Sequence, residues 1–563
     1  MPLPTNIHAS VSQSLLGRVS RIFNNSVSDV LSELLQNSRR AGAGLVDVDV
    51  VEADGRSILV IRDDGSGIDD PAKILTLGDS GWNEGIAHRE DPAGMGVFSL
   101  AGGHVEIRSR STAADIGWSV VIPPEAWESG VSLAIEPGEI ATGTEIRIEM
   151  PEAWARDLRA AIDNAAHHYP LPVTFRGEEL KRVDFLSGAC RIEEWHGCRI
   201  GVFHDRNNLP ASYPRINFHG LTVLCPMPNV TERDGGECWH VRVDIVDAPA
   251  LQLVLPARKE MVQNAALEAL CEAAERAIYR AIAEGVGHRL AHAQWRRAQK
   301  LGIDLPEATP WLAGWIPRTA DGEGYYTGER IVSAPMLLFR DSEPAFEQCA
   351  ARALRGEDVL GGALVREVSA FEGYRWYDSL PRIVTLSFVI DTADGTFRYD
   401  EGEVPPSDLP SGRVVSIALH VEVSSSRDNT ETVRSHIIPA DVLIVPDDGW
   451  SADLDETAIL LSPDSAIDPD NLADLLEAIC FCAGDDVDND SWETQQRYFQ
   501  TQARQIANSL LLGEDAAILA RIRDVIHEEV GWLIPAGRQV SMLVGGGRVE
   551  LSFADDVEAA APT

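Results

Sequence analysis

The spacing of apolar residues changes early in the chain from a helical to an extended period, and this change constrains the fold most. Valine and leucine recur at spacings of three and four over residues 27–41, which predicts a helix. Apolar and polar residues then alternate around a turn near Asp54-Gly55, which predicts a hairpin over residues 45–61. Further strands are predicted over residues 104–110, 116–122 and 143–150. This order of elements favours an α/β layer with helices on one face of a sheet.

The chain is long enough for several domains. Its 563 residues correspond to roughly three to four domains at ~150 residues each. A long helical pattern runs from Ala265 to about Gln299, and prolines and glycines then predict a linker. We expect an α+β protein with these divisions: a first domain over 1–165, a second mixed α/β domain over 166–300, the linker over 301–325, a β-rich domain over 326–447, an acidic solvated connection over 448–492, and a helical and hairpin segment over 493–563.

The chain is strongly acidic. It has 88 acidic and 48 basic residues, a net charge of −40, and residues 301–563 hold 47 of the acids and 18 of the bases. Such a charge disfavours binding to nucleic acid and to anionic membranes. There is no run of 18 apolar residues, no leader-like start and no pair of CxxC motifs among the eight cysteines. We therefore expect a cytoplasmic protein with reduced thiols and no membrane contact.

Two polar residues lie on one face of the first predicted helix. Glu33 and Asn37 are four residues apart, while Leu34 and Leu35 point towards the core. A carboxylate one turn from an amide can orient a water molecule beside a Mg²⁺-bound phosphate. Taken alone, this pair is more typical of an ordinary solvated helix face.

A glycine-containing turn follows the predicted hairpin directly. Asp63 ends the strand, and Gly65, Gly67 and Ile68 come next. A carboxylate at a strand end can accept a hydrogen bond from an adenine amino group, and glycines let the backbone approach a flat ring. An ordinary glycine-rich turn is the alternative, whereas the spacing from Asp63 does not fit an EF-hand calcium loop.

The pair Glu33 and Asn37 is the first motif and the turn from Asp63 to Ile68 is the second. Two later glycine motifs, the third and the fourth, complete the set. Gly94 and Gly96 precede Ser99, and glycines that open a helix can surround phosphates with backbone N–H groups. The residues before Gly94 do not resemble a strand, so a dinucleotide-binding Rossmann motif is disfavoured. The pair Gly143-Thr144 opens the last predicted strand of the domain and carries little information alone.

Together, the four motifs resemble the Bergerat-fold ATPases: gyrase, the ninety-kilodalton heat-shock (HSP90-like) chaperones, histidine kinases and MutL, abbreviated GHKL. The resemblance covers about residues 1–150, is weaker over 151–300 and is absent over 301–563. It is closest in layout to the chaperone and MutL branches. It implies ATP and Mg²⁺ as ligands, with Glu33 as general base, Asn37 as the Mg²⁺ ligand and Asp63 as the adenine acceptor. It also places these residues around the nucleotide: Ala41, Gly65, Gly67, Ile68, Gly94, Gly96, Ser99 and Thr144.

The resemblance extends to two further features. Residues 77–92 occupy the position of a mobile lid, and their glycines suit a segment that closes over nucleotide. Residues 255–263, just before the long helical pattern that begins at Ala265, resemble the chaperone's catalytic-arginine segment. The resemblance therefore implies Arg258 or Lys259 as the γ-phosphate sensor. A solvated Arg-Lys pair is the alternative. One departure is that Arg39-Arg40 stand where the chaperone and MutL branches usually have an aspartate.

Three functions follow as hypotheses. The first is an ATP-hydrolysing, chaperone-like conformational clamp with an unknown client protein. The second is a DNA-transaction ATPase of the MutL or MORC type, which would need a basic groove formed by these arginines: Arg39, Arg40, Arg56, Arg62, Arg108 and Arg110. The third is a nucleotide-gated scaffold with little hydrolysis. An ATP-dependent homodimer is compatible with all three.

Overall fold

The computed structural model describes residues 26–76, 82, 96–129, 131–205, 213–233, 237–255, 258–322, 328–332, 334–355, 359–403, 409, 411–427, 430–446, 454–484 and 490–553. The chain divides into two compact units, 1–309 and 310–563, and this boundary falls inside the predicted linker. Within the described ranges, no helix combines the length and the apolar character needed to cross a membrane.

The first unit begins with a mixed sheet of strand order β5-β4-β3-β6-β2-β1-β7-β8. Strands β1 and β7 are parallel, and the other neighbours are antiparallel. The predicted hairpin forms β1 and β2. The bounds are β1 Val46–Ala53, β2 Arg56–Asp63, β3 Val105–Arg110, β4 Gly117–Ile122, β5 Ile135–Gly138, β6 Gly143–Glu149, β7 Val173–Phe175 and β8 Glu178–Glu179.

Helix α1, Val27–Arg40, forms the layer that packs on this sheet. The Ser26 hydroxyl caps its first turn by accepting from the backbone N–H of Asp29 (3.1 Å), and Arg39 and Arg40 lie favourably in its last turn. Its apolar side chains share one buried core with β1, β2, β3 and β6. Short helices at Ala126–Ser129 (α2) and Leu158–His167 (α3) contribute to the same core.

The first sheet continues past the predicted domain boundary at residue 165. Val173 of β7 pairs with Val46 of β1, so the strands after α3 complete the sheet that began before it. The side chain of Gln36 on α1 also donates to the carbonyl of His219 (2.7 Å). The two predicted domains are therefore joined within one compact unit.

A second sheet follows, with strand order β12-β11-β14-β10-β9 and β13 added on β14. Helix α4, Ala265–Ala283, packs in its core, and α5 is His292–Lys300. The prediction of one helical stretch over 265–299 is wrong in detail, because residues 284–291 between the helices contain Gly285 and Gly287. The bounds are β9 Arg191–Trp195, β10 Cys198–Asp205, β11 Ile216–Phe218, β12 Leu221–Val223, β13 Asn229–Thr231 and β14 Cys238–Ile245.

The second unit contains the predicted β-rich region and a helical end. Its main sheet has the order β18-β17-β19-β22-β23, with β20 on β19, and smaller sheets pair β15 with β16 and order β21-β25-β24. The strand bounds are β15 Leu312–Ala313, β16 Arg330–Ile331, β17 Met336–Phe339, β18 Ala363–Arg366, β19 Arg382–Asp391, β20 Thr396–Asp400, β21 Gly412–Arg413, β22 Ser416–Arg427, β23 Thr430–Pro439, β24 Val442–Val445 and β25 Ala458–Leu461. The helices are α6 Pro344–Ala353, α7 Arg375–Asp378, α8 Pro469–Cys480, α9 Trp492–Leu512 and α10 Glu514–Val525.

The predicted acidic connection over 448–492 is folded in its described middle part. Strand β25 and helix α8 lie there, and Leu460, Leu472 and Leu476 are fully buried in the core of the second unit. The expectation of a solvated connection is wrong for these residues, because apolar side chains at strand and helix spacing bury one face while the acids stay outside. The chain then forms a final hairpin of β26, Val540–Gly545, and β27, Arg548–Phe553.

Candidate active site

Helix α1 carries the first two predicted site residues on one face. Glu33 is buried and Asn37 is half-buried, one turn further along the helix. Arg40 follows on the next turn, and its Nη1 donates to Asn37 Oδ1 over 3.3 Å. The basic residue that departs from the family pattern therefore contacts the predicted Mg²⁺ ligand directly.

Arg258 and Glu33, far apart in the sequence, form an ion pair. Arg258 Nη1 lies 3.0 Å from Glu33 Oε1, and each side chain is only 9% exposed. Among the described residues, no donor reaches the buried second oxygen, Glu33 Oε2. Burial raises the pKa of the Glu33 carboxyl, while the nearby charges of Arg258 and Arg40 act against that rise. This carboxylate therefore has one paired oxygen and one buried oxygen that no described donor reaches.

The loop over residues 253–261 directs Arg258 inward. Leu253 and Met261 form an antiparallel bridge at its base, and the N–H of Val254 donates to the carbonyl of Glu260 (2.9 Å). Arg258 itself has a positive φ of 52°, an uncommon conformation for a side chain of this size. Lys259, the other predicted sensor, is exposed. Of the two adjacent bases, the loop thus brings Arg258 to Glu33.

Asp63 lies at the end of β2 and is held in place from two sides. Its Oδ2 accepts from the hydroxyl of Ser38 on α1 (3.1 Å), and its Oδ1 accepts from the N–H of Gly65 (3.0 Å). Burial raises the pKa of the Asp63 carboxyl, and these two hydrogen bonds oppose the rise. Thr144 lies opposite Asp63 in the β2–β6 register, so the second and fourth motifs meet.

The glycines of the second and fourth motifs lie where the backbone leaves no room for a side chain. A Cβ on Gly65 would lie 2.7 Å from the Cβ of Ala41, and the N–H of Ser66 donates to the carbonyl of Ala41 (2.8 Å). Gly143 has φ +122°, and a Cβ there would lie 2.0 Å from the carbonyl oxygen of Asp63. The turn after β2 therefore packs directly against the end of α1 and the start of β6.

Gly67 offers a direct test of this packing. It has φ +69°, and a Cβ would lie 2.2 Å from the carbonyl oxygen of Arg110. Gly177 has a similar φ of +81° with nothing within 4 Å of its Cβ position. We expect Gly177→Ala to cost about 1–2 kcal/mol of unfolding free energy, from backbone strain alone. Gly67→Ala is expected to cost roughly 1–3 kcal/mol more, because the clash adds to that strain. Urea denaturation measures both, and equal costs would contradict this packing.

Ser109 on β3 is a site residue that the sequence analysis missed. Its buried hydroxyl donates to the carbonyl of Gly143 (2.8 Å), lies 3.2 Å from Thr144 Oγ1, and accepts from the N–H of Ile68 (2.9 Å). It therefore links the second motif to the fourth. A signal existed, because Ser109 is a small polar residue on the strand face that continues from the buried Val105 and Ile107.

The third motif is described only in part. Gly96–Leu100 form a short 3-10 helix, in which Ser99 is 2% exposed. Gly94 and the predicted lid over 77–92, apart from Trp82, lie outside the described residues.

The described residues fit the ligands that the resemblance implies. The buried Glu33 Oε2, to which no described residue donates, leaves an acceptor for such a ligand. The described part of the chain contains no group of three His, Cys, Asp or Glu side chains that could hold a metal. Mg²⁺ in nucleotide sites commonly takes one or two protein oxygens and completes its shell with phosphate oxygens and water, so Asn37 Oδ1 could supply such a ligand if Arg40 moves aside.

Comparison with known proteins gives partial structural matches. No family model and no curated protein matches this sequence. The ATPase domain of the bacterial mismatch repair endonuclease MutL from Aquifex aeolicus matches at 20% identity over 34% of this chain and 78% of that chain, with a TM-score of 0.23. The same domain complexed with ADP matches at 19% identity over 32% and 78%, with a TM-score of 0.22. The N-terminal domain of a DNA repair protein matches at 12% identity over 38% and 80%, with a TM-score of 0.25.

Proposed function

We propose that the first unit binds ATP and hydrolyses it to ADP and phosphate. The observation that carries this proposal is the contact between Glu33 on α1 and Arg258 on the loop over 253–261, which are 3.0 Å apart and largely buried. Phosphoryl transfer to water needs a group that activates the water and cations that neutralise charge on the transferred phosphoryl group. Here a carboxylate and a guanidinium lie side by side.

Each residue has a defined part in this proposal. Glu33 Oε2 accepts the proton of the attacking water, while Arg258 keeps its pairing to Oε1 and directs other N–H groups to the γ-phosphate. A guanidinium has five N–H donors, so both contacts are compatible. Asp63 accepts a hydrogen bond from the adenine amino group. Mg²⁺, when bound through Asn37, neutralises charge on the phosphate oxygens.

The wider cycle we propose is a chaperone-like clamp. Because Arg258 comes from a loop that follows the second sheet, its contact with the γ-phosphate would couple nucleotide state to that sheet. The position of Arg258 also favours turnover over a scaffold that only binds ATP. Two observations disfavour a DNA-transaction ATPase. The candidate DNA-binding arginines Arg62 and Arg108 are ion-paired with Glu145, and the net charge of −40 is unfavourable for binding DNA.

Asp63→Asn tests the nucleotide site. We expect ATP affinity to fall about 100-fold, because the amide cannot accept both from adenine and from Ser38 and Gly65 as the carboxylate does. Asp64→Asn is the matched control: this exposed neighbour accepts from the N–H groups of Gly44 and Leu45 (2.6 and 3.0 Å). Calorimetric titration with a non-hydrolysable ATP analogue measures both. Unchanged affinity in Asp63→Asn, or absence of binding by the wild type, would contradict the proposal.

A further inference from the structure

The second sheet carries three basic side chains on one face, which we call the basic cluster: Arg215, His240 and Arg242. His240 and Arg242 are two residues apart on β14, so their side chains lie on the same face of the strand. Arg215 lies beside Arg242, because β11 runs parallel to β14 with Ile216 paired to Val243. The N–H of Val243 also donates to the carbonyl of Arg215 (2.8 Å). Neighbouring strands therefore bring the three basic groups together.

Polar atoms of the basic cluster are buried without partners. His240 is 0% exposed, and among the described residues neither of its ring nitrogens has a hydrogen-bond partner. The same is true of the buried atoms Arg215 Nη1 and Arg242 Nε. Burial lowers the pKa of His240 to about 4, and the positive charges of both arginines act in the same direction. Because buried and unpaired N–H groups are costly, the cluster indicates a site for an anion.

Aromatic rings hold one guanidinium of the cluster in place. Arg242 Cζ lies 4.3 Å from the ring centroid of Phe203 and 4.7 Å from that of Tyr213. Phe203 is paired with His240 across the strands and stacks on its ring, with the centroids 5.4 Å apart. Such contacts orient a cation but leave its charge in place. Arg215, Arg242 and Tyr213 are half-buried, so the cluster also reaches the surface.

One acidic residue borders the basic cluster and distinguishes between anions. Asp205 Oδ2 lies 3.7 Å from His240 Nε2, which is too long for a hydrogen bond. An ionised carboxylate only accepts hydrogen bonds, so an anion beside it is favoured if it can donate one. Inorganic phosphate keeps a proton at neutral pH and can donate it. Sulfate has no proton to donate, and a phosphate monoester is mostly doubly ionised.

We propose that the basic cluster binds one inorganic phosphate ion. Arg215, Arg242 and the N–H of the neutral His240 ring donate to its oxygens, and Asp205 accepts from its hydroxyl. The two guanidinium charges match the charge of hydrogen phosphate, and hydrogen bonds between ionised groups are the strong ones. The cluster shares no residue with the candidate active site, so this inference does not depend on ATP binding.

Calorimetric titration of the full chain with inorganic phosphate tests the site, with a non-hydrolysable ATP analogue present to occupy the nucleotide site. We expect one phosphate per chain to bind. Arg215→Gln and Arg242→Gln should each weaken this binding roughly 10- to 100-fold, because each removes a charged donor. Arg199→Gln is the matched control and should leave the affinity unchanged. Arg199 lies on the same face of the sheet, but its guanidinium is already paired with Asp184 and Asp244 (3.1 and 3.3 Å).

Asp205→Asn tests why the site would choose phosphate. The wild type should bind phosphate at least about 10-fold more tightly than sulfate or glycerol phosphate, because the Asp205 carboxylate favours an anion that donates. In the variant, the amide can donate to either anion, so the preference over sulfate should be lost. The Asp205 side chain is 53% exposed, so this variant is expected to fold, and circular dichroism checks the fold of every variant.

Three results would overturn the proposal: no phosphate binding by the wild type, binding that neither arginine substitution weakens, or an unchanged preference for phosphate over sulfate in Asp205→Asn. If the ATP analogue failed to bind while phosphate binding still depended on Arg215 and Arg242, only the proposed ATPase function would be contradicted.

Discussion

Replacing Arg258 by alanine is expected to lower ATP turnover by roughly 10³-fold or more, the effect typical of an arginine that neutralises phosphoryl-transfer charge. Lys259→Ala is the matched control and should stay near the wild-type rate, because Lys259 is exposed while Arg258 contacts Glu33. Single-turnover kinetics on purified full-length protein measures both. If Lys259→Ala were the inactive variant, the assignment of the sensor to Arg258 would be wrong.

Loss of Arg258 also removes the partner of a buried carboxylate, so structural damage must be separated from catalysis. Breaking such a pair commonly costs about 3–5 kcal/mol of stability. Thermal melting and nucleotide binding of Arg258→Ala therefore accompany the kinetics. Arg258→Lys serves as the conservative variant and should recover part of the rate, since it keeps the positive charge but loses the planar fork of donors.

Replacing Glu33 by alanine is expected to lower turnover by about 10²- to 10⁴-fold while nucleotide still binds, because a general base contributes about that much. Ser28→Ala is the control, because Ser28 is exposed on the same helix, and it should stay near the wild-type rate. Turnover is measured by phosphate release, and nucleotide binding is measured by titration with ADP. Undiminished turnover in Glu33→Ala would remove Glu33 from the chemistry.

The pH dependence gives an independent readout of the same carboxyl group. Burial raises the pKa of Glu33, and the protonated acid cannot take a proton from water. Turnover should therefore be lost as pH falls through this raised pKa, at a higher pH than for a solvent-exposed glutamate. In Arg258→Ala the residual activity should be lost at a still higher pH, because the positive charge that opposes the rise is gone. An identical acid limb in both proteins would contradict a direct Arg258–Glu33 interaction.

Much of the first sheet could be predicted because its signals are local. The period-2 alternation that predicts the hairpin depends only on neighbouring residues, and the structure places β1 and β2 there. The same holds for α1, which begins just after its Ser26 cap. The addition of β7 to this sheet could not be predicted, because a parallel pairing across α3 depends on contacts distant in sequence.

The acidic stretch shows how composition can mislead. Its net charge indicated a solvated connection, yet Leu460 and Leu472 lie in the core of the second unit. Charge totals describe the surface of a segment, and the spacing of its apolar residues decides whether one face is buried.

The sequence by itself determined which residues form the candidate motifs, because Glu33, Asn37, Asp63 and the glycines follow local helix, strand and turn patterns. Only the tertiary structure decided that Arg258 and not Lys259 meets Glu33. Adjacent residues in an irregular loop have no period to separate them, and the choice depends on a positive φ at Arg258 and on the packing of that loop against α1. A contact between distant residues is a property of the folded chain, and local patterns cannot contain it.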